Sequence, residues 1–345
     1  MPRRARFPGA IAGSVLLLLV VAAIALTQGA APIPVPEALR TLLGALPLID
    51  GASEQPASWQ RIVLDIRLPR VVAAGVVGAS LGFSGAAYQG VFRNPLASPY
   101  LLGVASGAAL GAAIAIISPL DAGAYGFGWV PLFAFAGGGL TVVAVYAISR
   151  GAEGASTNTT LILAGVALSA VLGAVTSFIM LTGGQRAQPI FSFLFGTLNT
   201  STWERLALGA PYLVVGGAIV MAHARLLNVM QLDEDQARQL GVDVGRTRLI
   251  VLGASSLVAA AAVAIAGVIG FVGLIVPHIV RLVFGGDHRQ LLPLSALLGA
   301  SFLIASDVIS RTLIAPQEIP VGIVTALAGG PFFLYLLRAR RVGDL

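Results

Sequence analysis

The chain has 345 residues, of which 57% are hydrophobic and only 10% are charged, whereas soluble domains carry roughly 25% charged residues. All 21 basic residues are arginine, so the lysine of a P-loop nucleotide site is absent. The chain also lacks cysteine, which excludes disulfides, thiolate metal sites and iron–sulfur clusters. This composition predicts an all-α membrane protein with one transmembrane domain, residues 1–345.

Apolar stretches long enough to cross a bilayer core about 30 Å thick recur along the chain. We count ten, at residues 11–27, 71–92, 100–117, 130–149, 160–181, 206–224, 249–268, 271–284, 291–309 and 321–337. The eighth is short, and it is surrounded by Gly267, Gly270, Gly273 and Pro277. This pattern predicts a broken or tilted helix pair whose non-helical backbone is shielded by protein.

The side of each connecting segment is predicted from the arginines. Because arginines precede the first stretch, it also has the pattern of a cleavable signal peptide, and cleavage would leave nine spans. We favour an uncleaved helix, because ten spans with a cytoplasmic N-terminus place 14 arginines inside and 7 outside. The outer seven are Arg40, Arg61, Arg67, Arg70, Arg186, Arg205 and Arg311. This bias predicts an inner-membrane protein with both termini in the cytoplasm. The scattered arginines do not indicate nucleic acid as a partner.

Small residues indicate where helices pack closely. Gly78 and Gly82 lie four residues apart in the second stretch, as do Gly103, Gly107 and Gly111 in the third. Such faces let helices approach where lipid supplies no hydrophobic driving force. We interpret both sets as packing faces.

Ionisable residues at membrane depth are few. Asp307 and Arg311 are one helical turn apart, which fits either an internal ion pair or a role in a translocation path. His278 is expected to be a hydrogen-bonded packing residue. With three histidines and no histidine–carboxylate cluster, we expect no metal site. The sequence contains no motif of a catalytic nucleophile, which disfavours an intramembrane enzyme.

Residues 226–248 form a hydrophilic segment on the predicted cytoplasmic side, long enough for two short helices. Asp233 and Glu234 mark a helix start, Arg238 follows, and Gly241 is a natural helix stop. The segment is either a solvated connector or a docking element. Its apolar residues, which favour docking, are Met230, Leu232, Ala237 and Leu240.

Three outer arginines form a second group. Arg67 and Arg70 bracket the start of the second stretch, and Arg311 closes the ninth. Positive charge on this side opposes the general bias, so it fits a partner that carries carboxylates. Neutralisation within the chain is an equal alternative, and its candidate carboxylates are Asp65, Asp307 and Glu318.

Several runs of the chain resemble the FecCD-type permeases, the transmembrane subunits of type II ABC importers for ferric siderophores, haem and vitamin B12. The runs are QGVFRNPLASPYLLGVASGAALGA at 89–112, LILAGVAL at 161–168, DEDQARQLGVDVGRTR at 233–248 and GVIGFVGLIVPHIVRLVFGGDHRQLLPLSALLGASFLIASDVISR at 267–311. The resemblance covers essentially the whole chain after the first stretch, in the same order and spacing.

The resemblance implies a homodimer of ten-helix subunits around a translocation path, two cytoplasmic ABC ATPase subunits and a periplasmic binding protein. Asn94, Pro95 and Leu96 match a cytoplasmic gate loop, and Asn158 with Thr159 match gate residues before the fifth span. Some relatives carry threonine and serine at the latter two positions, so this gate is polar but not identical. The chain itself is expected to be no enzyme and to hold no cofactor.

The resemblance also gives roles to the two polar groups. Arg67, Arg70 and Arg311 match arginines that receive glutamates of the binding protein, and residues 226–248 match coupling helices in the ATPase cleft. Within that segment the expected ATPase-coupling residues are Asp233, Glu234, Arg238 and Gly241. Ferric siderophore is the expected cargo, with haem, cobalamin and an oxyanion such as molybdate as alternatives. An ion-coupled secondary transporter is the rival function.

Overall fold

A computed structural model of the chain describes residues 7–29, 33–44, 56–118, 129–151 and 158–343, and the regular elements within these ranges are helices. The helices are α1 (Phe7–Thr27), α2 (Val35–Gly44), α3 (Ala57–Gln60), α4 (Leu68–Phe92), α5 (Val104–Ile117), α6 (Trp129–Gly151), α7 (Asn158–Thr182), α8 (Ala187–Leu194), α9 (Trp203–Ala222), α10 (Ala224–Val229), α11 (Glu234–Gln239), α12 (Val244–Ala266), α13 (Val272–Phe284), α14 (His288–Thr312) and α15 (Val321–Gly343). A π-helical segment, Arg61–Arg67, leads into α4, and 3₁₀ turns lie at Pro99–Leu102 and Gly184–Arg186.

Each of the ten predicted apolar stretches coincides with one helix: α1, α4, α5, α6, α7, α9, α12, α13, α14 and α15. By length and apolar composition, α1, α6, α7, α9, α12 and α14 are long enough to cross a membrane, whereas α5, α13 and part of α15 are shorter apolar helices. The all-helical membrane architecture is therefore confirmed. The number of crossings stays a prediction.

Helix α4 lies at the centre of the helix bundle. It packs against α12, α13 and α14, and 19 of its 25 residues are buried. By contrast, α7 buries only Leu161, Gly165 and Thr176, and it exposes large apolar side chains such as Leu181. An apolar residue exposed on a helix of this length is expected where lipid or another membrane subunit is the neighbour.

The predicted glycine faces are contact sites between helices. A Cβ at Gly78 would overlap the Gly299 carbonyl of α14, and a Cβ at Gly107 would overlap the Gly137 carbonyl of α6. The α4–α14 and α5–α6 pairs therefore pack backbone against backbone, as small residues in membrane helices allow. Gly103 differs from this prediction, since it precedes α5 in a left-handed conformation with φ of +75°.

The predicted helix break is present between α12 and α13. Helix α12 ends at Ala266, and the backbone is non-helical until α13 begins at Val272. Protein groups satisfy this backbone: Val268 N donates to Phe193 O at 2.9 Å, and the Tyr100 hydroxyl donates to Ile269 O at 2.7 Å. Irregular backbone at membrane depth is stable under this condition.

Replacing Gly78 by alanine should destabilise the protein, because the new methyl group meets backbone of α14 that cannot rotate away. We expect a loss of about 1–3 kcal/mol in the free energy of unfolding. Gly217→Ala is the matched control, since this helical glycine has open space around a Cβ and alanine has the higher helix propensity. Thermal unfolding in detergent should separate the two variants, and equal melting temperatures would contradict the packing account.

Candidate functional site

The first candidate site is a charge cluster at the ends of α1, α4 and α14. The Arg70 guanidinium lies between two carboxylates: its Nη2 is 2.9 Å from Asp307 Oδ1, and its Nη1 is 2.9 Å from Glu318 Oε1. Asp307 is only 1% exposed, and its second oxygen lies 3.4 Å from Arg311 Nε. One buried carboxylate thus neutralises two arginines from different helices.

The other contacts of this cluster cap the C-terminus of α1. Arg67 Nη1 donates to Leu26 O at 2.8 Å and to Thr27 O at 3.0 Å, while Arg311 Nη2 donates to Ala25 O. The last carbonyls of a helix have no partner within the helix and carry partial negative charge. The two guanidinium groups satisfy these carbonyls and fix the end of α1 against α4 and α14.

These contacts bear on the two explanations of the outer arginines, which are docking of a partner and charge balance within the chain. Arg67, Arg70 and Arg311 are buried, at 5%, 8% and 5% exposure, and all three bond within the chain. Two of the three proposed neutralising carboxylates, Asp307 and Glu318, take part. The third, Asp65, is exposed and belongs to none of the described ion pairs. The geometry therefore favours local charge balance, and docking of a binding protein at these arginines stays a prediction.

The second candidate site is the hydrophilic segment 226–248, which contains the predicted pair of short helices. Helix α11 begins after Asp233 and ends before Gly241, whose φ of +78° is in the left-handed region that favours glycine. Glu234 bonds within the segment: its carboxylate is 2.6 Å from Arg248 and 3.6 Å from Arg238. Part of the charge expected to face a partner is therefore already paired.

The apolar residues of this segment divide into two groups. Met230 and Ala237 are fully buried in the main core of the chain, so they do not form part of an exposed apolar side. Leu232 and Leu240 are 42% and 63% exposed. A leucine exposed on a hydrophilic segment is available to a partner. Only two of the four predicted apolar residues are therefore exposed.

Side-chain hydrogen bonds tie this segment to the helices that enter the membrane. Gln231 Nε2 donates to Gly90 O of α4 at 2.9 Å, and Asn228 Nδ2 donates to Asp287 Oδ1 at 2.7 Å. Hydrogen bonds from Arg289 lower the pKa of the Asp287 carboxyl, so this acceptor stays charged. A movement of residues 226–248 would therefore be transmitted directly to α4 and α14. These contacts could not be predicted from the sequence, because a single asparagine or glutamine does not form a recognisable motif.

The predicted gate residues lie in two segments. Helix α4 ends at Phe92, Arg93 is left-handed, and the Asn94 side chain accepts from Leu96 N at 2.9 Å, which fixes a tight turn. Asn94 is exposed, and Pro95 and Leu96 are half-buried.

The second gate pair lies at the start of α7. Thr159 is exposed, and the half-buried Asn158 has a buried Oδ1 without a hydrogen-bond partner. The 3₁₀ turn Pro99–Leu102 connects the two segments, since a Cβ at Gly165 of α7 would overlap the Leu101 carbonyl. The two gate segments are therefore linked through one contact between this turn and α7, and their gating role stays a prediction.

The described residues contain no group of three or more histidine, cysteine, aspartate or glutamate side chains that could hold a metal ion. His278 is 4% exposed within α13. The hydrogen-bonded packing role that we expected for it stays a prediction.

Comparison with known proteins covers nearly the whole chain. The model of the FecCD transport family matches residues 16–339. The cobalamin import system permease BtuC of Halobacterium salinarum is 46% identical across 96% of this chain and 91% of that protein. The hemin transport system permease HmuU of Yersinia pestis is 39% identical across 87% of this chain and 90% of its own length.

A third relative, the Fe(3+) dicitrate transport system permease FecC of Escherichia coli, is 37% identical across 83% of this chain and 85% of its own length. Among solved structures, an inward-facing conformation of a metal-chelate type ABC transporter superposes with a TM-score of 0.82 at 33% identity. That alignment covers 96% of this chain and all of the other.

Replacing Asp307 by asparagine should strongly reduce the yield of folded protein, because Arg70 and Arg311 then lose a shared buried counter-charge. Removing one partner of a buried ion pair costs about 3–5 kcal/mol. The control is Asp65→Asn, which removes an exposed carboxylate near the same end of α4. Size-exclusion chromatography of both variants in detergent measures the monodisperse fraction. A wild-type yield for Asp307→Asn would show that the cluster is not structural.

Proposed function

The chain belongs to the FecCD transport family, and from this premise we propose that it forms the path by which an ATP-driven importer carries a metal chelate across the inner membrane. The observation that carries the proposal is the family match over residues 16–339, supported by relatives and a solved transporter that align over most of their length. The permease function itself is that of the family. The crossings, partners and cargo are our proposals.

We infer ten crossings with both termini in the cytoplasm. The arginine bias supports this orientation, and the positions of the helix ends agree with it. The C-terminus of α1, the N-terminal end of α4 and the C-terminus of α14 share the outer charge cluster. If ten spans cross the membrane in alternating directions, those three helix ends lie on the same side. Two subunits are proposed to meet along their exposed apolar faces, α7 among them, around a central path.

We propose that two ABC ATPase subunits bind residues 226–248. Leu232 and Leu240 supply exposed apolar contact, and Asp233, Arg238 and Gly241 lie beside them on α11 and its ends. The hydrogen bonds of Asn228 and Gln231 to the ends of α14 and α4 provide a route from a docked ATPase to the gate residues. Coupling requires such a contiguous contact between the partner and the moving helices.

A periplasmic binding protein is proposed to deliver the cargo to the opposite end. Because Arg67, Arg70 and Arg311 are bonded internally, we propose that they act there mainly by holding the helix ends in place. The Glu318 side chain is 39% exposed and Arg70 is 10% exposed, so the edge of the cluster can still contact a partner. Exposed charges at such a rim affect association rate and salt dependence.

The secondary-transporter alternative has little support. Ion coupling needs polar relays at membrane depth, yet Asp307 is the one buried carboxylate among the residues that the structure describes. Its two oxygens already contact Arg70 and Arg311. Asp307 is thus held by two internal partners, which fits a structural role better than that of a polar relay.

The cargo is proposed to be an iron chelate, with ferric siderophore as the first expectation. Cobalamin is a second candidate on a specific observation: the relative named for cobalamin import is 46% identical, against 39% and 37% for those named for hemin and ferric dicitrate. These cargoes share a large metal chelate as their chemical class. Selection among them is proposed to reside largely in the binding protein.

Replacing Leu240 by serine should weaken binding of the ATPase subunit without changing the fold, since this side chain is exposed and contacts no core. Loss of one buried leucine at an interface removes roughly 1.5–3 kcal/mol. The matched control is Gln239→Ser, which changes the exposed residue just before Leu240, at the end of α11. Co-purification of the ATPase with each permease variant measures the effect. Equal recovery with both variants would argue against docking at α11.

Reconstitution in proteoliposomes with the cognate ATPase and binding protein should give ATP-dependent uptake of one chelate among cobalamin, hemin and a ferric siderophore. The chain alone should hydrolyse no ATP above background, because it contains no P-loop lysine. Radiolabel or metal retained in the vesicles measures uptake. Uptake driven by a proton or sodium gradient without the ATPase would establish the rival function instead.

A further inference from the structure

A pocket lies where the first turns of α1 meet the last turn of α13, next to Asp287 but lined by residues that belong to neither candidate site. Its volume is about 210 Å³, and it is lined on one side by Phe7 and Ala10 and on the other by Arg281, Phe284 and Gln290. The proposed orientation places this end of both helices at the cytoplasmic surface of the membrane. Polar and apolar groups thus meet in one opening at the expected depth of lipid headgroups.

Arg281 is the arginine that lines this pocket. It takes part in none of the described ion pairs, and its Nε is buried without a hydrogen-bond partner. Arg248 and Arg289, in contrast, each contact a carboxylate at 2.6 and 2.8 Å. Arg281 as a whole is half-buried, and its guanidinium carries five N–H donors and stays charged. An anion at the opening of the pocket would therefore be well placed to accept from these donors.

The carboxylate nearest in sequence does not supply this anion. Both oxygens of Asp287 accept from Arg289, and Oδ1 accepts in addition from Asn228 at 2.7 Å. Asp287 is thereby satisfied by other donors. No carboxylate in the described part of the chain pairs with Arg281.

The surface beside the pocket is hydrocarbon-like. Leu282 and Val283, which follow Arg281 on α13, are 67% and 65% exposed. A ligand that fits both features carries a compact anionic group and an apolar chain next to it. Phosphate is well matched to a guanidinium, because it can accept two parallel N–H bonds. The cytoplasmic leaflet holds anionic lipids that attract basic groups at its surface.

We propose that this pocket is a binding site for an anionic phospholipid of the cytoplasmic leaflet. The Arg281 guanidinium binds the headgroup phosphate, Gln290 offers a second polar contact, and an acyl chain lies along Leu282 and Val283. The choice of leaflet rests on the proposed orientation. The lipid contact itself requires neither the ATPase nor a particular cargo. The bound lipid would hold the start of α1 against α13.

Native mass spectrometry of the purified full chain tests this site by titration with phosphatidylglycerol and with phosphatidylcholine of the same acyl chains. Wild type should bind phosphatidylglycerol more tightly, and Arg281→Gln should weaken that binding about tenfold, because a charge-assisted hydrogen bond is lost. Arg281→Lys should retain part of the preference. Arg225→Gln is the matched control, since it removes an exposed arginine on the same predicted side.

Equal binding of phosphatidylglycerol by wild type and Arg281→Gln would overturn the proposal. Displacement of the lipid by an equal concentration of inorganic phosphate would also overturn it and assign the pocket to a soluble anion. If Arg281→Gln does not fold, wild type with a photoactivatable phosphatidylglycerol gives the answer. Labelled peptides should then include residues 7–10 or 281–290, and labelling confined to other helices would refute the site. Neither result depends on transport activity.

Discussion

The ion pair between Arg70 and Asp307 is the interaction on which the arrangement of the helix ends depends. It joins the start of α4 to the end of α14, and through Arg311 and Arg67 the same cluster holds the last carbonyls of α1. Charges at this depth are stable only when each has a partner, because desolvation of an ion costs several kcal/mol. The cluster therefore permits one arrangement of these helices and penalises others.

At the opposite end, amide hydrogen bonds connect the cytoplasmic segment to the membrane helices, while the ion pair between Glu234 and Arg248 lies within the segment. Asn228 and Gln231 connect the cytoplasmic segment to α14 and α4 through neutral or singly charged hydrogen bonds, each worth roughly 0.5–3 kcal/mol. Between the two ends, glycine contacts such as Gly78 with Gly299 set the spacing of α4 and α14. This contrast suits the proposed docking of an ATPase at the cytoplasmic end, because amide hydrogen bonds cost less to rearrange than a buried ion network.

Sequence patterns predicted the ten apolar helices, the break before α13 and the packing glycines, because each depends on local composition. They did not predict α2, α3 or α8, which are short and lack a long apolar run. The outer arginines show most clearly what sequence patterns do not predict. Asp307 and Glu318 were candidate partners on charge alone, but Arg70 and Glu318 are 248 positions apart in sequence, so the fold decided which pairs form. The family resemblance gave those arginines a docking role, which stays a prediction beside their internal contacts.

The central claim is that the outer cluster is a structural unit, and a double-mutant cycle between Arg70 and Asp307 tests it most directly. The free energy of unfolding would be measured for wild type, Arg70→Ala, Asp307→Ala and the double variant in one detergent. Our account predicts a coupling energy of at least about 1.5 kcal/mol, since contacting residues in one ion network are not additive. Additive losses within about 0.5 kcal/mol would show that the two side chains act independently and would contradict the account.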